Sequence, residues 1–374
     1  MKLRYRILSI FAIVIGLAFV SLCVALSYNS PCGAAAALPA GSEPMRGLVA
    51  RCYGAPDVLA LEQVAKPIPA DDQLLVKVHA AALNPVDWHT MRGSPYIMRL
   101  SSGLGSPKDA RVGVDFAGTV EAVGKNVTRF KPGDEVFGGA DGAVAEYVVV
   151  RETRGVALKP ANVTFEQAGS VAVAALTALQ GLRDHGGIKP GQKVLINGAS
   201  GGVGTFAVQL GKYFGAEVTG VCSTRNVELV RSLGADHVVD YTQEDFAASS
   251  ERYDIILDNV GNRSLSDLRG VLQPKGALII VGAAKGDWIA PLMGAIKAIV
   301  VQPFVDQKVG FFIARLPQDD MKLLGELMQS GKVTPVIDRS YPFDEAAKAM
   351  EYLEAGRARG KVVVRLASTG DVHE

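Results

Sequence analysis

A glycine-rich turn between a strand-like run and a helix-like run constrains this sequence more than any other feature. Residues 198–204 read Gly-Ala-Ser-Gly-Gly-Val-Gly and directly follow the apolar run 194–197. In such a unit, glycine lets backbone N–H groups approach a pyrophosphate, and the helix N-terminus favours its negative charge. The pattern therefore predicts a dinucleotide site rather than only a tight turn. Its residues are Gly198, Ala199, Ser200, Gly201, Gly202, Val203 and Gly204.

The strand after this helix indicates which dinucleotide is bound. In NAD-binding proteins an acidic residue about 20 positions onward binds the ribose 2′-hydroxyl. Here the strand ends in Cys-Ser-Thr-Arg-Asn, residues 222–226, without a carboxylate. The Ser223 hydroxyl can donate a hydrogen bond to a 2′-phosphate, and Arg225 can neutralise it through two N–H groups. We therefore expect NADPH; the alternative is that Arg225 is an ordinary solvated loop residue.

The region from about residue 165 alternates between strand-like and helix-like stretches. Apolar runs such as Glu-Val-Thr-Gly-Val-Cys and Gly-Ala-Leu-Ile-Ile-Val-Gly are separated by stretches with helical character. Such alternation is typical of a parallel, doubly wound α/β sheet. The predicted helices cover residues 165–184, 203–214 and 226–233.

The region before residue 165 indicates a different kind of domain. Short β-rich runs are separated by Gly, Pro and Asp turns, which is typical of a compact, mostly β fold. The chain ends with a predicted helix over 344–355 and a strand over 361–366, and we expect this strand to return to the first domain. The four runs of the β domain are 47–54, 74–83, 115–124 and 143–150.

An uncharged segment precedes these domains. No charged residue occurs between Ile7 and Ser42, and residues 7–28 are long enough for a membrane-spanning helix, which needs about 20 apolar residues. The sequence therefore predicts an N-terminal hydrophobic helix, a transmembrane anchor or signal over 1–30, followed by a linker over 31–45. The alternatives are a cleaved signal ending near the alanines at 34–37, or a translation start at Met45.

Two arguments disagree about the side of the membrane on which the body lies. Lys2, Arg4 and Arg6 precede the apolar segment, and the positive-inside rule then places the body across the membrane. NADPH, however, is a cytoplasmic metabolite. We expect a membrane-associated protein with a single N-terminal span and a cytoplasmic body, and the orientation stays open.

The charge balance argues against nucleic acid as a partner. The chain has 374 residues, with 39 Lys and Arg against 38 Asp and Glu. Binding nucleic acid requires clusters of basic residues that neutralise several phosphates, and no such run occurs.

The four cysteines have no spacing that indicates a shared role. None forms a Cys-x-x-Cys pair, and two lie in or just after the apolar N-terminus. We therefore expect four unrelated thiols, with neither a disulfide framework nor a structural zinc site. The cysteines are Cys23, Cys32, Cys52 and Cys222.

Several further segments of the chain are motifs that occur in a fixed order together with the glycine-rich turn. They are Ala-Ala-Leu-Asn-Pro-Val-Asp-Trp (81–88), Gly-Val-Asp-Phe-Ala-Gly-Thr-Val-Glu-Ala-Val-Gly (113–124), Pro-Gly-Asp-Glu-Val-Phe-Gly (132–138), Leu-Thr-Ala-Leu-Gln-Gly-Leu (176–182), Leu-Gly-Ala-Asp-His-Val-Val-Asp-Tyr (233–241), Gly-Ala-Leu-Ile-Ile-Val-Gly (276–282) and Gly-Lys-Val-Val-Val (360–364). With these motifs the chain resembles the quinone oxidoreductase branch of the medium-chain dehydrogenase/reductase superfamily, close to its enone-reductase and reticulon-interacting-protein relatives. The resemblance covers about residues 45–367.

The resemblance implies a fold and a set of cofactor-binding residues. A GroES-like β domain over 46–165, completed by 335–368, would carry a Rossmann domain over 166–334, with the active cleft between them. Matching positions imply Asn84 and Thr177 near the nicotinamide and Ser223 and Arg225 at the 2′-phosphate. The remaining implied contacts are Tyr241 on the adenosine side and Asn259, Val281 and Gly282 on the ribose–nicotinamide side.

The chain departs from the zinc alcohol dehydrogenases of this superfamily. Those enzymes place a metal-binding Cys where this chain has residues 84–87, and Gly-His-Glu where it has Gly-Val-Asp at 113–115. The four-cysteine structural lobe is also missing after Gly133. Because no His or Cys is left at either position, we expect no metal. Related enone reductases often carry Lys at the position of His89.

A reductase without a metal Lewis acid suits a quinone or an α,β-unsaturated carbonyl better than an alcohol, because the substrate itself delocalises the charge. The alternatives are a zinc-free alcohol or aldehyde reductase and a non-catalytic NADPH-binding adaptor tethered to a membrane.

No residue stands out as a proton donor; the weak catalytic candidates are Asn84, His89 and Tyr96. Asp87 is expected to cap the segment after it, and Asp115 to be a structural partner at a strand start. A homodimer is a further expectation.

Overall fold

Two large β-sheets organise the chain in a computed structural model, which describes residues 2–35, 37–283 and 286–366. The first sheet is mixed and contains most of the strands before residue 160. Its central strand, β3, pairs with three neighbours, and a separate hairpin joins β1 to β2. These strands are β1 (Pro44–Ala50), β2 (Leu59–Ala65), β3 (Gln73–Leu83), β4 (Asp115–Val123), β5 (Glu135–Gly139), β6 (Tyr147–Arg151) and β7 (Val156–Leu158).

The second sheet is parallel throughout, as the alternation of strands and helices predicts. Its order is β10-β9-β8-β11-β12-β13, so the direction of winding reverses between β8 and β11. In open parallel sheets, ligands bind at the carboxyl ends of the strands at this point of reversal. The strands are β8 (Lys193–Asn197), β9 (Glu217–Cys222), β10 (His237–Asp240), β11 (Tyr253–Asp258), β12 (Leu272–Ile280) and β13 (Lys308–Phe311).

The end of the chain returns to the first sheet, as expected. Strand β15 (Lys361–Arg365) pairs antiparallel with β3, with Val363 opposite Ala82, and β14 (Ile337–Pro342) pairs parallel with β15. The boundaries 46–165, 166–334 and 335–368 stay predictions, and residues 367 and 368 lie outside the described ranges.

Helices flank both sheets, and most predicted ones begin and end within a few residues of their expected positions. The helix expected over 203–214 spans Gly202–Tyr213, and the one expected over 344–355 spans Ala346–Glu354. The helices are α1 (Lys2–Ser27), α2 (Pro85–Arg92), α3 (Arg99–Ser102), α4 (Phe165–Ala168), α5 (Ala172–Gln180), α6 (Gly202–Tyr213), α7 (Val227–Ser232), α8 (Leu265–Gly270), α9 (Met293–Val301), α10 (Gln318–Gln329) and α11 (Ala346–Glu354).

The prediction of a single helix over 165–184 is wrong, because the helix is interrupted near Gly169. A Cβ atom on Gly169 would lie 2.8 Å from the carbonyl oxygen of Ala80 and 3.1 Å from the backbone nitrogen of Ala117, so strands β3 and β4 approach the backbone here. The next helix, α5, starts afresh, with the N–H of Val173 donating to the Asp115 carboxylate at 2.9 Å. Asp115 is thus the structural partner expected at this strand start.

The N-terminal segment forms helix α1, and its end is fixed to the body. The buried Arg99 donates from Nη1 to the carbonyl oxygens of Leu26 at 2.9 Å and Tyr28 at 3.0 Å. Large apolar side chains along the described part of α1 are exposed. Within the described ranges, no helix meets the length and hydropathy that a membrane span requires.

Two of the four cysteines are bonded, so the expectation of four unrelated thiols is wrong for this pair. Cys32 and Cys52 form a disulfide, whereas Cys23 and Cys222 are free. The segment after α1 also makes a hydrogen bond to the first domain, in which the Ser30 N–H donates to the Gly105 carbonyl at 2.8 Å. The predicted linker is therefore joined to the first domain by a covalent bond.

We predict that the unfolded, unreduced protein presents two reactive thiols and the reduced protein four. The bridge closes a loop across 20 residues, and a loop of this size stabilises a fold by about 3 kcal/mol in the chain-entropy description. Replacing Cys32 with Ser should therefore lower the free energy of unfolding by roughly this amount. Thiol titration and urea denaturation measure both effects, and four reactive thiols before reduction would contradict the pairing.

Candidate active site

The glycine-rich turn has the shape that a dinucleotide requires. Gly198 has a φ of +78°, which favours glycine, and a Cβ on Gly204 would lie only 2.1 Å from the Gly198 carbonyl oxygen. Helix α6 follows directly, and Gly201 gives its first turn no side-chain cap. The N-terminal N–H groups of a 12-residue helix are thus left for an anion.

Polar side chains lie together where β9 ends. The Asn226 amide nitrogen donates to the hydroxyls of Ser200 at 2.9 Å and Ser223 at 3.3 Å, which joins the turn to the expected 2′-phosphate corner. Arg225 is exposed and donates to the Arg357 carbonyl at 2.7 Å. The acid at the end of the next strand, Asp240, already accepts hydrogen bonds from Thr242 and Gln243.

The structure also brings the expected ribose–nicotinamide residues to this turn. A Cβ on Gly198 would lie 3.6 Å from the Cβ of Asn259, and a Cβ on Gly282 would lie 2.4 Å from the Asn259 carbonyl carbon. The N–H groups of Val281 and Gly282 both donate to the Asp258 carbonyl at 2.9 Å. Three strand ends, those of β8, β11 and β12, therefore meet at the point where the winding reverses.

Two buried oxygens indicate that the residues present fit a bound dinucleotide. Within the described part of the chain, three buried side-chain oxygens have no hydrogen-bond partner, and two of them, Asn226 Oδ1 and Asn259 Oδ1, belong to residues beside this turn. A buried acceptor without a donor is costly, and natural sites usually supply one. Ribose hydroxyl and amide donors of a dinucleotide would satisfy both oxygens.

Tyr241 and Thr177 are the remaining residues expected to contact the cofactor. Tyr241 lies beside this corner with 53% of its surface exposed, and its N–H donates to the Cys222 carbonyl at 3.0 Å. The Thr177 hydroxyl donates to the Val173 carbonyl at 2.7 Å within its own helix, and so it lies one turn from the Val173–Asp115 contact. Their cofactor contacts stay predictions.

A buried polar cluster lies at the end of β3, beside the turn. Asn84 is the N-cap of α2, and its N–H donates to the Asp87 carboxylate at 2.7 Å. The expectation that Asp87 caps the segment after it is wrong, because Asp87 lies within α2 and its carboxylate instead accepts from the residue that begins the helix. The ammonium of Lys361 donates to Asn84 Oδ1 and, at 3.2 Å, to Asp115 Oδ2. Asn84, Asp87, Asp115 and Lys361 are each at most 5% exposed.

Lys361 is a member of this buried cluster that sequence reasoning missed. It stands at the start of β15, far from Asn84 in sequence, and its side chain runs along the turn: a Cβ on Gly202 would lie 3.2 Å from Lys361 Cδ. The signal in the sequence is a charged residue directly before three valines, in the strand expected to return to the first domain.

The catalytic roles suggested for His89 and Tyr96 stay predictions, although both side chains have structural partners. His89 Nδ1 lies 2.7 Å from the Ser94 carbonyl, its ring stacks on Trp88, and burial lowers the pKa of His89, which favours the neutral imidazole. The Tyr96 ring lies 4.5 Å from the Arg99 guanidinium and edge-on to Trp288. Both weak candidates thus have structural partners.

The expected absence of metal stays a prediction. In the part of the chain that the structure describes, no group of three or more His, Cys, Asp and Glu side chains is arranged to hold a metal ion. The positions that bind metal in zinc dehydrogenases are here Asn84 to Asp87 and Gly113 to Asp115.

Comparison with known proteins agrees with this geometry. Residues 70–161 match the model of the alcohol dehydrogenase GroES-like domain, and residues 233–364 match that of the zinc-binding dehydrogenases. A 2-methylene-furan-3-one reductase of Solanum lycopersicum is 38% identical over 328 residues, which cover 83% of this chain and 76% of that protein. The chain belongs to the medium-chain dehydrogenase/reductase superfamily.

Other relatives within the superfamily are also oxidoreductases. A mitochondrial NAD(P)H oxidoreductase, RTN4IP1 of Mus musculus, is 36% identical, with 84% of this chain and 87% of that protein covered. The structure of the quinone oxidoreductase from Coxiella burnetii is similar with a TM-score of 0.75 at 30% identity, covering 87% of this chain and all of that one. The protein is therefore an oxidoreductase with a GroES-like and a Rossmann domain, consistent with the zinc-free branch.

We predict a pH-dependent stability cost at Asp87. Burial raises the pKa of Asp87 to about 7; Asp115 acts in the same direction, whereas the Asn84 N–H and Lys361 act against it. Because the pKa of Asp87 is higher in the folded than in the unfolded state, protonation of this carboxyl group stabilises the fold. This contribution is complete below about pH 4 and is lost as the pH rises through 7. The carboxylate must then be held charged in the interior.

Asp87→Asn removes this charge and keeps an oxygen that can accept from the Asn84 N–H. The unfolding free energy of the wild type should therefore fall relative to Asp87→Asn between pH 4 and 7, by at most about 1.4 kcal/mol per pH unit. Urea denaturation of both proteins at pH 5 and pH 8 measures the difference. A difference that is the same at both values would contradict the raised pKa.

Proposed function

We propose that the protein is an NADPH-dependent, zinc-independent reductase that reduces α,β-unsaturated carbonyl compounds or quinones. The observation that carries this proposal is the cluster around Lys361. One lysine side chain runs from the glycine-rich turn to Asn84, which is an uncharged hydrogen-bonding amide in the segment where zinc dehydrogenases place a metal ligand. A site of this kind can stabilise a developing oxyanion by hydrogen bonding rather than by Lewis acidity.

The chain's own residues would bind and orient the cofactor. The N–H groups at the start of α6 would hold the pyrophosphate, Ser223 and Arg225 the 2′-phosphate, and Asn259 a ribose or amide donor. When bound, NADPH supplies a hydride. The protein contributes position and exclusion of water, which for an oriented pair of reactants accounts for a large part of the rate.

Conjugated carbonyl compounds are the favoured substrate class. Two relatives carry names that specify such substrates, the 2-methylene-furan-3-one reductase and an NADPH-dependent alkenal/one oxidoreductase of Arabidopsis thaliana. A quinone has the same arrangement of a carbon–carbon double bond beside a carbonyl, and therefore belongs to the same proposal. The alternatives stay a zinc-free alcohol or aldehyde reductase and a non-catalytic NADPH-binding adaptor.

A substrate screen of the full-length protein in detergent tests this proposal. NADPH oxidation is followed with an enone, a quinone, a saturated ketone and a saturated aldehyde, in the presence of a chelator. We expect turnover with the enone or the quinone that exceeds turnover with both saturated compounds, unchanged by the chelator. Turnover confined to the saturated compounds would support the alcohol reductase instead, and binding of NADPH without any turnover would support the adaptor.

We predict that Arg225 selects NADPH over NADH. A hydrogen bond to a charged group contributes about 1.5–3 kcal/mol, so Arg225→Ala should raise the dissociation constant of NADPH at least about tenfold and leave that of NADH nearly unchanged. Arg231→Ala is the matched control, because Arg231 is a neighbouring arginine on α7 that pairs with Glu228. Fluorescence titration measures both cofactors; equal losses for NADPH and NADH would refute the assignment.

We also propose that the protein associates with membranes through α1, since residues 7–27 of this helix carry no charge. Two arguments disagree about the side of the membrane on which the body lies. The expectation of a cytoplasmic body rests on the cofactor. The disulfide instead favours an oxidising compartment, and the basic residues before the apolar segment favour export of the body. Protease added to intact spheroplasts separates the two: a protected body supports the cytoplasmic side, and a digested body supports export. Recovery of the full chain in the soluble fraction would contradict membrane association.

A further inference from the structure

Lys361 is a buried cation whose contacts reach directly into the proposed site. Only 3% of its surface is exposed. Its ammonium donates to Asn84 Oδ1, to Asp115 Oδ2 at 3.2 Å and, more weakly, to the Leu83 carbonyl at 3.4 Å. Its carboxylate partner Asp115 is held in turn by the Val173 N–H. The ammonium is therefore fixed by groups from the end of β3 and the start of β4.

These contacts determine the orientation of the Asn84 side chain. An ammonium group has three donors and no acceptor, so the amide atom facing Lys361 must be the oxygen and not the nitrogen. The amide nitrogen then points away from the lysine. Its acceptor among the described residues is the Ala82 carbonyl at 3.4 Å, which leaves a second amide N–H for another group.

We propose that Lys361 is a positioning residue that turns the Asn84 amide so that its N–H donates to the carbonyl oxygen of the substrate. This rests on the proposed function and adds the group that receives the developing charge. When hydride is added to the β-carbon of an enone, the double-bond electrons move onto the oxygen and an enolate forms. The Asn84 N–H stabilises this oxyanion until a solvent proton is added to the α-carbon and completes the reduction.

The nearby positive charge strengthens the donor. Hydrogen-bonded groups polarise one another in a medium of low dielectric constant, so an amide oxygen bound to an ammonium makes its own N–H groups better donors. In addition, the lysine prevents the amide from rotating by about 180°, which would offer the oxygen to the substrate and repel the enolate.

Asn84→Asp is the sharpest test, because it preserves size and the oxygen that accepts from Lys361 but replaces the donor with a second oxygen. Loss of one oxyanion donor typically lowers kcat by about 100-fold or more, and we expect such a loss with an enone while KM changes little. Lys361→Met should lower kcat by at least about tenfold, and Lys361→Arg should recover part of it. Lys348→Met, an exposed lysine on α11, is the control that should leave kcat unchanged.

A binding measurement without cofactor provides a readout that does not depend on turnover. The probe is 4-nitrophenol, whose phenolate resembles an enolate and has an absorption band that the neutral phenol lacks. The wild type should bind the phenolate in preference to the neutral phenol and lower the pKa of the bound probe. Asn84→Asp and Lys361→Met should both abolish this preference, and the control should not.

Lys361→Met leaves Asp115 buried without its cation, so the double variant Lys361→Met/Asp115→Asn is made as well. The amide introduced by Asp115→Asn still carries an oxygen that can accept from the Val173 N–H. If the double variant folds and keeps wild-type phenolate preference, or if Asn84→Asp keeps wild-type kcat, the inference is overturned. Absence of turnover with both the enone and the quinone in the wild type would instead refute the proposed function, and the phenolate measurement would still decide the role of Asn84.

Discussion

The ammonium of Lys361 and the carboxylate of Asp115 meet at 3.2 Å in the interior, and the arrangement of the site depends on this pair. Both residues are almost fully buried, at 3% and 0% of side-chain exposure. Removing one partner of such a pair typically costs about 3–5 kcal/mol, because the remaining charge is left in a medium of low dielectric constant. The pair is therefore a constraint on the relative positions of β4, which carries Asp115, and β15, which carries Lys361.

The same strand end connects the two domains. The N–H of Gly360 donates to the Ser200 carbonyl at 2.9 Å, and Gly201 and Gly360 form a parallel bridge. Lys361 follows at once, at the start of the strand that pairs antiparallel with β3. The turn that would hold the pyrophosphate is thus hydrogen-bonded to the strand that completes the other domain. This explains how a cofactor bound to one domain can face a hydrogen-bonding group supplied by the other.

Local patterns were sufficient to predict the dinucleotide turn and the parallel sheet. The glycines at 198–204 act through their own backbone and their immediate neighbours, so their spacing carries the information. Three features needed tertiary structure. The break at Gly169 depends on the approach of Ala80 and Ala117, and the disulfide depends on the fold bringing Cys32 to Cys52, which no Cys-x-x-Cys spacing indicates. The orientation of Asn84 depends on a lysine 277 residues away, which no local pattern can reveal.

Transfer of deuterium tests the central claim most directly. Full-length protein is supplied with NADPH deuterated at the reactive position of the nicotinamide and with an enone, and the product is examined by NMR. A hydride added under the control of an oxyanion donor should place one deuteron on the β-carbon and yield a saturated ketone. Deuterium on the carbonyl carbon, with an allylic alcohol as product, would contradict the account.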